Sequence, residues 1–180
     1  SGWWNYSTGI AGDLMSHIWD SVNGMAGVGI PASCQAQGSA YFYKNDIAVP
    51  DMWHTVFDYP QKKLTITFSS NFVNRHTGDL VQALGRDATL ELTPYTCRTF
   101  VAEWRLQEKG QQPNLKPDYT FQPGEVTVSS HWQNFLDCIR TGETPRCGVD
   151  RAFEEAVVIA MSIEAYRRRR EVRWDFRKEE

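Results

Sequence analysis

Near the start of the chain Leu14, Ile18, Val22 and Met25 recur at helical spacing within residues 9–25, and Gly24, Gly27, Gly29 and Pro31 close the run. The period then changes. Large apolar residues alternate with polar ones through residues 53–59 and again through 64–69, with Pro60, Gln61, Lys62 and Lys63 between them, which predicts an antiparallel hairpin with one buried face. Further strands are expected at 39–44, 88–93, 99–105 and 171–176, and residues 107–123 read as loop. Ser130 and Gln133 form a capping box ahead of the stripe Trp132, Phe135, Leu136 and Ile139, which ends at Gly142. A last helix starts from Asp150 as N-cap, carries Glu154 and Glu155 near its start, buries Phe153, Val157, Ala160 and Met161, and finishes in four arginines. A helical opening, a strand-rich middle and a helical close define an α+β fold: an open antiparallel or mixed sheet with helices packed on one face.

Composition bounds what such a fold can do. At 180 residues, with 41% hydrophobic and 23% charged residues, the chain fits one globular domain spanning 1–180. No stretch approaches the roughly 18 consecutive apolar residues of a membrane span, and no export signal opens the sequence. The net charge of -3 offers no field for nucleic acid. Arg167 to Arg170 form one basic run, read as the solvated last turn of a helix whose charges follow its dipole. Cys34, Cys97, Cys138 and Cys147 lack zinc-ligand spacing and are expected as free thiols, so no metal site is expected. Seven tryptophans point either to a large sheet face to cover or to a site that stacks on sugar rings.

One constellation carries candidate chemistry. On a helix, Asp13, His17 and Asp20 fall within about 60° of one another, apart from the apolar stripe. An Asp one turn before a His can hydrogen-bond it and fix its tautomer, which suits proton transfer near neutral pH. Gly9, Ala11, Gly12 and Ser16 around the pair leave room for a ligand to approach the backbone. An exposed polar face with an ordinary i,i+4 pair accounts for the same spacing. Other signals are weaker. The run from Gly24 to Gly29 follows a helix rather than a strand and has the wrong glycine spacing for a nucleotide loop. His54, His76 and His131 fit structural roles, and Asn5-Tyr6-Ser7 meets the glycosylation pattern without other signs of secretion.

The segment from Trp3 to Asp20 resembles the second domain of the Gfo/Idh/MocA family, the glucose-fructose oxidoreductase and inositol dehydrogenase group. It has the tryptophan-rich lead, the glycine pair, D-x-x-x-H at Asp13 and His17, and an Asp three residues later. The stretch from His131 to Pro145 is similar to the family's late helix and turn. The Asp150 helix followed by Val172, Arg173, Trp174 and Asp175 is similar to its closing helix and strand. Val49-Pro50-Asp51 and residues 84–90 are similar to its sheet segments.

The resemblance implies a substrate-binding and oligomerisation domain of an NAD(P)-dependent oxidoreductase acting on a sugar or cyclitol hydroxyl, inactive alone. It implies His17 and Asp13 as catalytic residues, with Trp4, Asn5 and Asp20 touching substrate. The family's N-terminal Rossmann domain, with its glycine-rich turn and E-K-P lysine, has no counterpart in the sequence, and neither does a strand that precedes the tryptophan-rich segment. No cofactor is therefore expected in this chain, and NAD or NADP is expected for the full-length enzyme. The family's sheet face packs against a partner subunit, which would place Tyr41, Phe42, Tyr43, Trp53, Phe57 and Phe68 in a homo-oligomer interface. Two alternatives stay open: a domain of an NAD-dependent, redox-assisted glycosidase, and a stand-alone carbohydrate-binding or scaffold domain. The compartment expected is the cytoplasm, or the periplasm given an upstream export signal; the family implies a bacterial source.

Overall fold

The computed structural model describes residues 2–43, 47–74, 80–93, 96–112, 116–121 and 130–178. They fall into two compact units, residues 1–75 with 134–180, and residues 76–133.

The first unit holds the site. Its sheet contains β1 (Ser33–Ser39), β2 (Met52–Tyr59), β3 (Leu64–Asn71) and β8 (Val172–Arg173), in the order β3-β2-β1-β8 and antiparallel throughout. The predicted hairpin is present as β2 and β3. Its turn is a single helical turn, Pro60–Lys62, closed by Lys63 at φ 52. Alternation sorts the strands into two faces. Cys34, Trp53, Thr55, Phe57 and Tyr59 are buried, and Ile66 and Phe68 pack against them. Gln35, Gln37, His54, Val56, Thr65, Thr67 and Ser69 are exposed on the other face.

Helix α1 (Ser16–Ala26) and helix α4 (Val149–Arg168) cover the buried face together. The expected burials shift in both. In α1 and the turn before it, Ala11, Met15, Trp19 and Asn23 enter the core at four-residue spacing, while Leu14 and Val22 sit at its margin and Met25 is 60% exposed. Met15 and Trp19 offer more apolar area than the stripe beside them, which decides the face. In α4, Val157, Val158, Met161, Ser162 and Ala165 are buried, Phe153 and Ala160 are exposed, and Gly148 rather than Asp150 is the N-cap.

The expectation of an aromatic outer sheet face is also corrected. Trp53 and Phe57 lie in the core, Phe68 packs on it, and Tyr41 to Tyr43 follow β1 as a bend rather than continuing a strand. The aromatics on these strands are explained by the core beneath the helices. The expected 171–176 strand shortens to β8. Helix α3 (His131–Thr141) starts with the Gln133 N–H donated to Ser130 Oγ at 3.0 Å and stops at Gly142, as the capping pattern predicts. None of its residues is buried.

The second unit contains β4 (Val81–Leu84), β5 (Ala88–Leu92), β6 (Cys97–Val101) and β7 (Tyr119–Phe121), in sequence order and antiparallel, with α2 (Glu103–Glu108). Residues 103–105, expected as strand, instead begin α2, whose Trp104 donates its indole N–H to the Arg86 carbonyl at 2.6 Å. Strand β7 lies in the stretch read as loop. The fold is α+β, with open antiparallel sheets and helices on one face of the first.

Candidate functional site

The site is built on the entry to α1. Gly9 adopts φ 60, its N–H donates to Ser7 Oγ at 2.9 Å, and its carbonyl accepts the N–H groups of Gly12 and Asp13. A side chain at Gly9 would stand 3.0 Å from Val49 Cβ in a backbone region that L residues avoid, so this turn is set by glycine. Residues Ala11–Met15 then form a π-helical turn before the α-helix begins. Such turns are wider than the α-helix and recur at functional sites. Asp13 lies within it and His17 one residue into α1.

The rest of the helix is tied down. Trp19 donates its indole N–H to the Tyr59 hydroxyl at 3.4 Å, and that hydroxyl donates to the Gly29 carbonyl at 3.0 Å. Burial pushes the Tyr59 phenol up to about 12, which keeps it a neutral donor. Ser16 and Ser21 bond back to the carbonyls of Gly12 and His17. Asn23 donates to Glu154 Oε2 at 2.7 Å and accepts the Gly29 N–H at 2.8 Å. Asp20 receives Arg151 Nε at 2.6 Å, while Arg151 Nη2 reaches the Asp20 carbonyl, also at 2.6 Å.

The sequence-predicted residues therefore divide. The Asp13 and His17 side chains are exposed, share the helix entry, and make no hydrogen bond or ion pair with the described residues, with each other included, although their backbones bond to Gly9 and Ser21. Asp20 is engaged by α4. Trp4 stacks on Tyr166 with centroids 5.9 Å apart and carries the Arg167 guanidinium 4.7 Å above its ring. Asn5 is exposed beside it in sequence. His54 is exposed on the outer sheet face, His131 opens α3, and His76 lies outside the described residues.

The groups that sequence reasoning missed stand on α4. Burial raises the Glu155 carboxyl pKa and the Asp20 charge adds to the rise, while His17 and Arg151 oppose it. Glu155 is thus within electrostatic reach of His17. The spacing of Arg151, Glu154 and Glu155 along one helix stripe was the available signal, and it has an equally good explanation in the helix dipole.

Among the described residues the glycine run does not form a dinucleotide cradle. Gly27, at φ 56, is the left-handed C-cap of α1, and the glycine run around it feeds no helix N-terminus. No described strand leads through a glycine-rich turn into a helix. The four thiols are free, and burial pushes the Cys34 thiol up to about 12, which makes it unreactive. No cluster of metal-ligating side chains stands among the described residues, and no helix is long and apolar enough to cross a membrane.

Neither a family model nor a curated protein matches the sequence. Solved structures share the fold. An NAD-binding protein from Listeria innocua superposes with a TM-score of 0.66 at 15% identity, over 92% of this chain and 51% of its own. The WlbA dehydrogenase from Bordetella pertussis, in complex with NADH and UDP-GlcNAcA, gives 0.61 at 10% identity over 97% of this chain and 48% of its own. A chain described as an oxidoreductase from Thermotoga maritima gives 0.62 at 13% identity, over 88% and 45%. This chain has the fold of about half of each such oxidoreductase-type chain. That agrees with the resemblance to the second domain of the glucose-fructose oxidoreductase and inositol dehydrogenase group.

Proposed function

We propose that this chain is the substrate-binding half of an NAD(P)-dependent oxidoreductase that acts on a sugar or cyclitol hydroxyl. The observation that carries the reading is the division of polar groups at the α1 entry. Ser16, Asp20, Ser21 and Asn23 are engaged in protein contacts, whereas the side chains of Asp13, in the π-turn, and His17, just after it, make no hydrogen bond or ion pair with the described residues. In this reading His17 accepts the proton of the substrate hydroxyl as its carbon is oxidised, and Asp13 holds a neighbouring hydroxyl or orients the imidazole. Trp4 and Asn5 line the approach, and Asp20 acts at one remove by fixing α1 on α4. The oxidant is a nicotinamide dinucleotide held on a separate Rossmann domain, since the described residues make no cradle for it. Self-association of the whole enzyme belongs to the same proposal.

The test is a turnover screen of the full-length gene product with sugar nucleotides, free sugars and cyclitols in the presence of NAD or NADP. Reduced nicotinamide formed in proportion to a keto product supports the reading. Glycosidic cleavage without net reduction would assign the chain to the redox-assisted glycosidases instead.

A further inference from the structure

We propose that Glu155 of α4 is the positioning residue of His17, its carboxylate holding the imidazolium that forms when His17 takes the proton of the substrate hydroxyl. The proposal rests on the oxidoreductase reading above, and it follows from the registry of two helices. On α1, His17, Asp20 and Gly24 succeed one another at three- and four-residue spacing and so share a stripe. On α4, Arg151, Glu155, Val158 and Ser162 do the same, and Val158 and Ser162 are fully buried. The two stripes meet at Arg151, whose guanidinium donates to the Asp20 carboxylate and to the Asp20 carbonyl, each at 2.6 Å, and fills the space beside Gly24. The helices run in opposite directions. The start of α4 meets the second half of α1 through Arg151 and through Glu154, which binds Asn23. The entry turn Ala11–Met15 also packs on α4, and Trp4 ahead of it rests on Tyr166 near the far end. One turn back along α1 from Asp20 is His17, and one turn onward along α4 from Arg151 is Glu155.

The charges agree with that placement. Those that face Glu155 among the described residues are Asp20 and His17 from α1 and Arg151 from its own helix. Burial and Asp20 act against an ionised carboxyl at this half-buried position, and only His17 and Arg151 favour it. Arg151 is already committed to Asp20 through Nε and Nη2, so the charge that Glu155 gains during turnover is the one that forms on His17. In the reaction the hydroxyl proton passes from oxygen to a ring nitrogen of His17 as the hydride leaves the carbon for the nicotinamide. The ring then carries one positive charge, which a nearby carboxylate stabilises. Asp13 does not supply that carboxylate in the structure, since its side chain makes no hydrogen bond or ion pair with His17, and it is left to a substrate hydroxyl.

The test uses the full-length gene product and two readouts. The first is the pH profile of kcat/KM, whose acidic limb reports the base of the free enzyme. Glu155→Gln removes the carboxylate charge at nearly constant shape, so the limb should move to lower pH by about 0.3–1 unit while the melting temperature does not fall. Arg151→Ala removes a cation and releases the Asp20 charge, so it should move the limb the other way. The second readout needs no turnover. The Glu155 carboxyl is followed by carbon-13 NMR, its signal identified by loss in Glu155→Gln, and its titration midpoint should rise in His17→Ala because coupling between two sites is reciprocal. An unmoved limb in folded Glu155→Gln, limbs that move the same way in both variants, or an unmoved Glu155 titration in His17→Ala would each overturn the proposal. Coupled titrations in a protein that oxidises no sugar or cyclitol would overturn the role together with the oxidoreductase reading, whereas oxidation with uncoupled titrations would overturn the role alone.

Discussion

Asp51 is fully buried between Val49-Pro50 and β2, and burial alone would raise its pKa. The backbone N–H groups of Tyr43, Tyr41 and Phe42, at 2.8, 3.0 and 2.7 Å, together with its own amide, outweigh that and hold the carboxyl below the ordinary range. Replacing it by Asn presents an amide donor to one of these N–H groups, so Asp51→Asn should cost about 1–3 kcal/mol in urea unfolding at neutral pH. The pH dependence has a definite sign. A depressed folded pKa means that the contribution is present above the unfolded value of about 3.9 and is lost as pH falls through the lower folded value. The gap in stability between wild type and Asp51→Asn should therefore close on acidification into that range. Gly9→Ala combines a left-handed residue with the contact to Val49, and a loss of at least ~1 kcal/mol is expected from the backbone conformation alone. Gly9 was read from the sequence as room for a ligand, but the structure buries it against Val49 and uses its left-handed turn instead. The Asp51 anchor was not legible, because its partners are main-chain groups eight to ten residues away that leave no mark in side-chain spacing.

Helix α1 shows how far periodicity reaches. Its position and its glycine stop follow from spacing in the sequence. Which face is buried does not, since the stripes through Met15 and Trp19 and through Leu14 and Ile18 are neighbours, and the π-turn over Ala11–Met15 alters the phase between them. The registry of α1 on α4 was likewise hidden, because Arg151 and Asp20 lie 131 residues apart. Gly24 makes room for that pair: a Cβ there would run into Arg151 Nη2. The two side chains are 31% and 36% exposed, so the ion pair is partly screened, and Arg151→Ala should lower stability by only about 0.5–1 kcal/mol. That difference should shrink in concentrated salt, and a salt-independent loss would mean that packing of the arginine stem dominates.

For the molecule as a whole, the hairpin, the Ser130 cap of α3 and the fold class were readable because each rests on neighbours in sequence, whereas the cap of α4 fell on Gly148 rather than Asp150. The burial of Trp53 and Phe57 under helices, rather than in a partner-facing sheet surface, required the tertiary arrangement. The fold accounts for about half of the oxidoreductase-type chains that share it. Because the α1 glycine run is a helix C-cap and no described strand meets a glycine-rich helix start, the 180-residue chain should bind neither NAD nor NADP in calorimetry. Micromolar affinity for either would show that a dinucleotide site exists outside the Rossmann pattern.

The account turns on His17, and its most direct test is the kinetics of His17→Ala in the full-length gene product, with Asp20→Ala as the control. Loss of a proton acceptor at the reacting hydroxyl predicts a fall in kcat of roughly 10²–10⁴-fold with dinucleotide affinity little changed, while Asp20→Ala lowers the melting temperature more than the rate. Near-normal turnover in folded His17→Ala, or abolished turnover in Asp20→Ala alone, would contradict it.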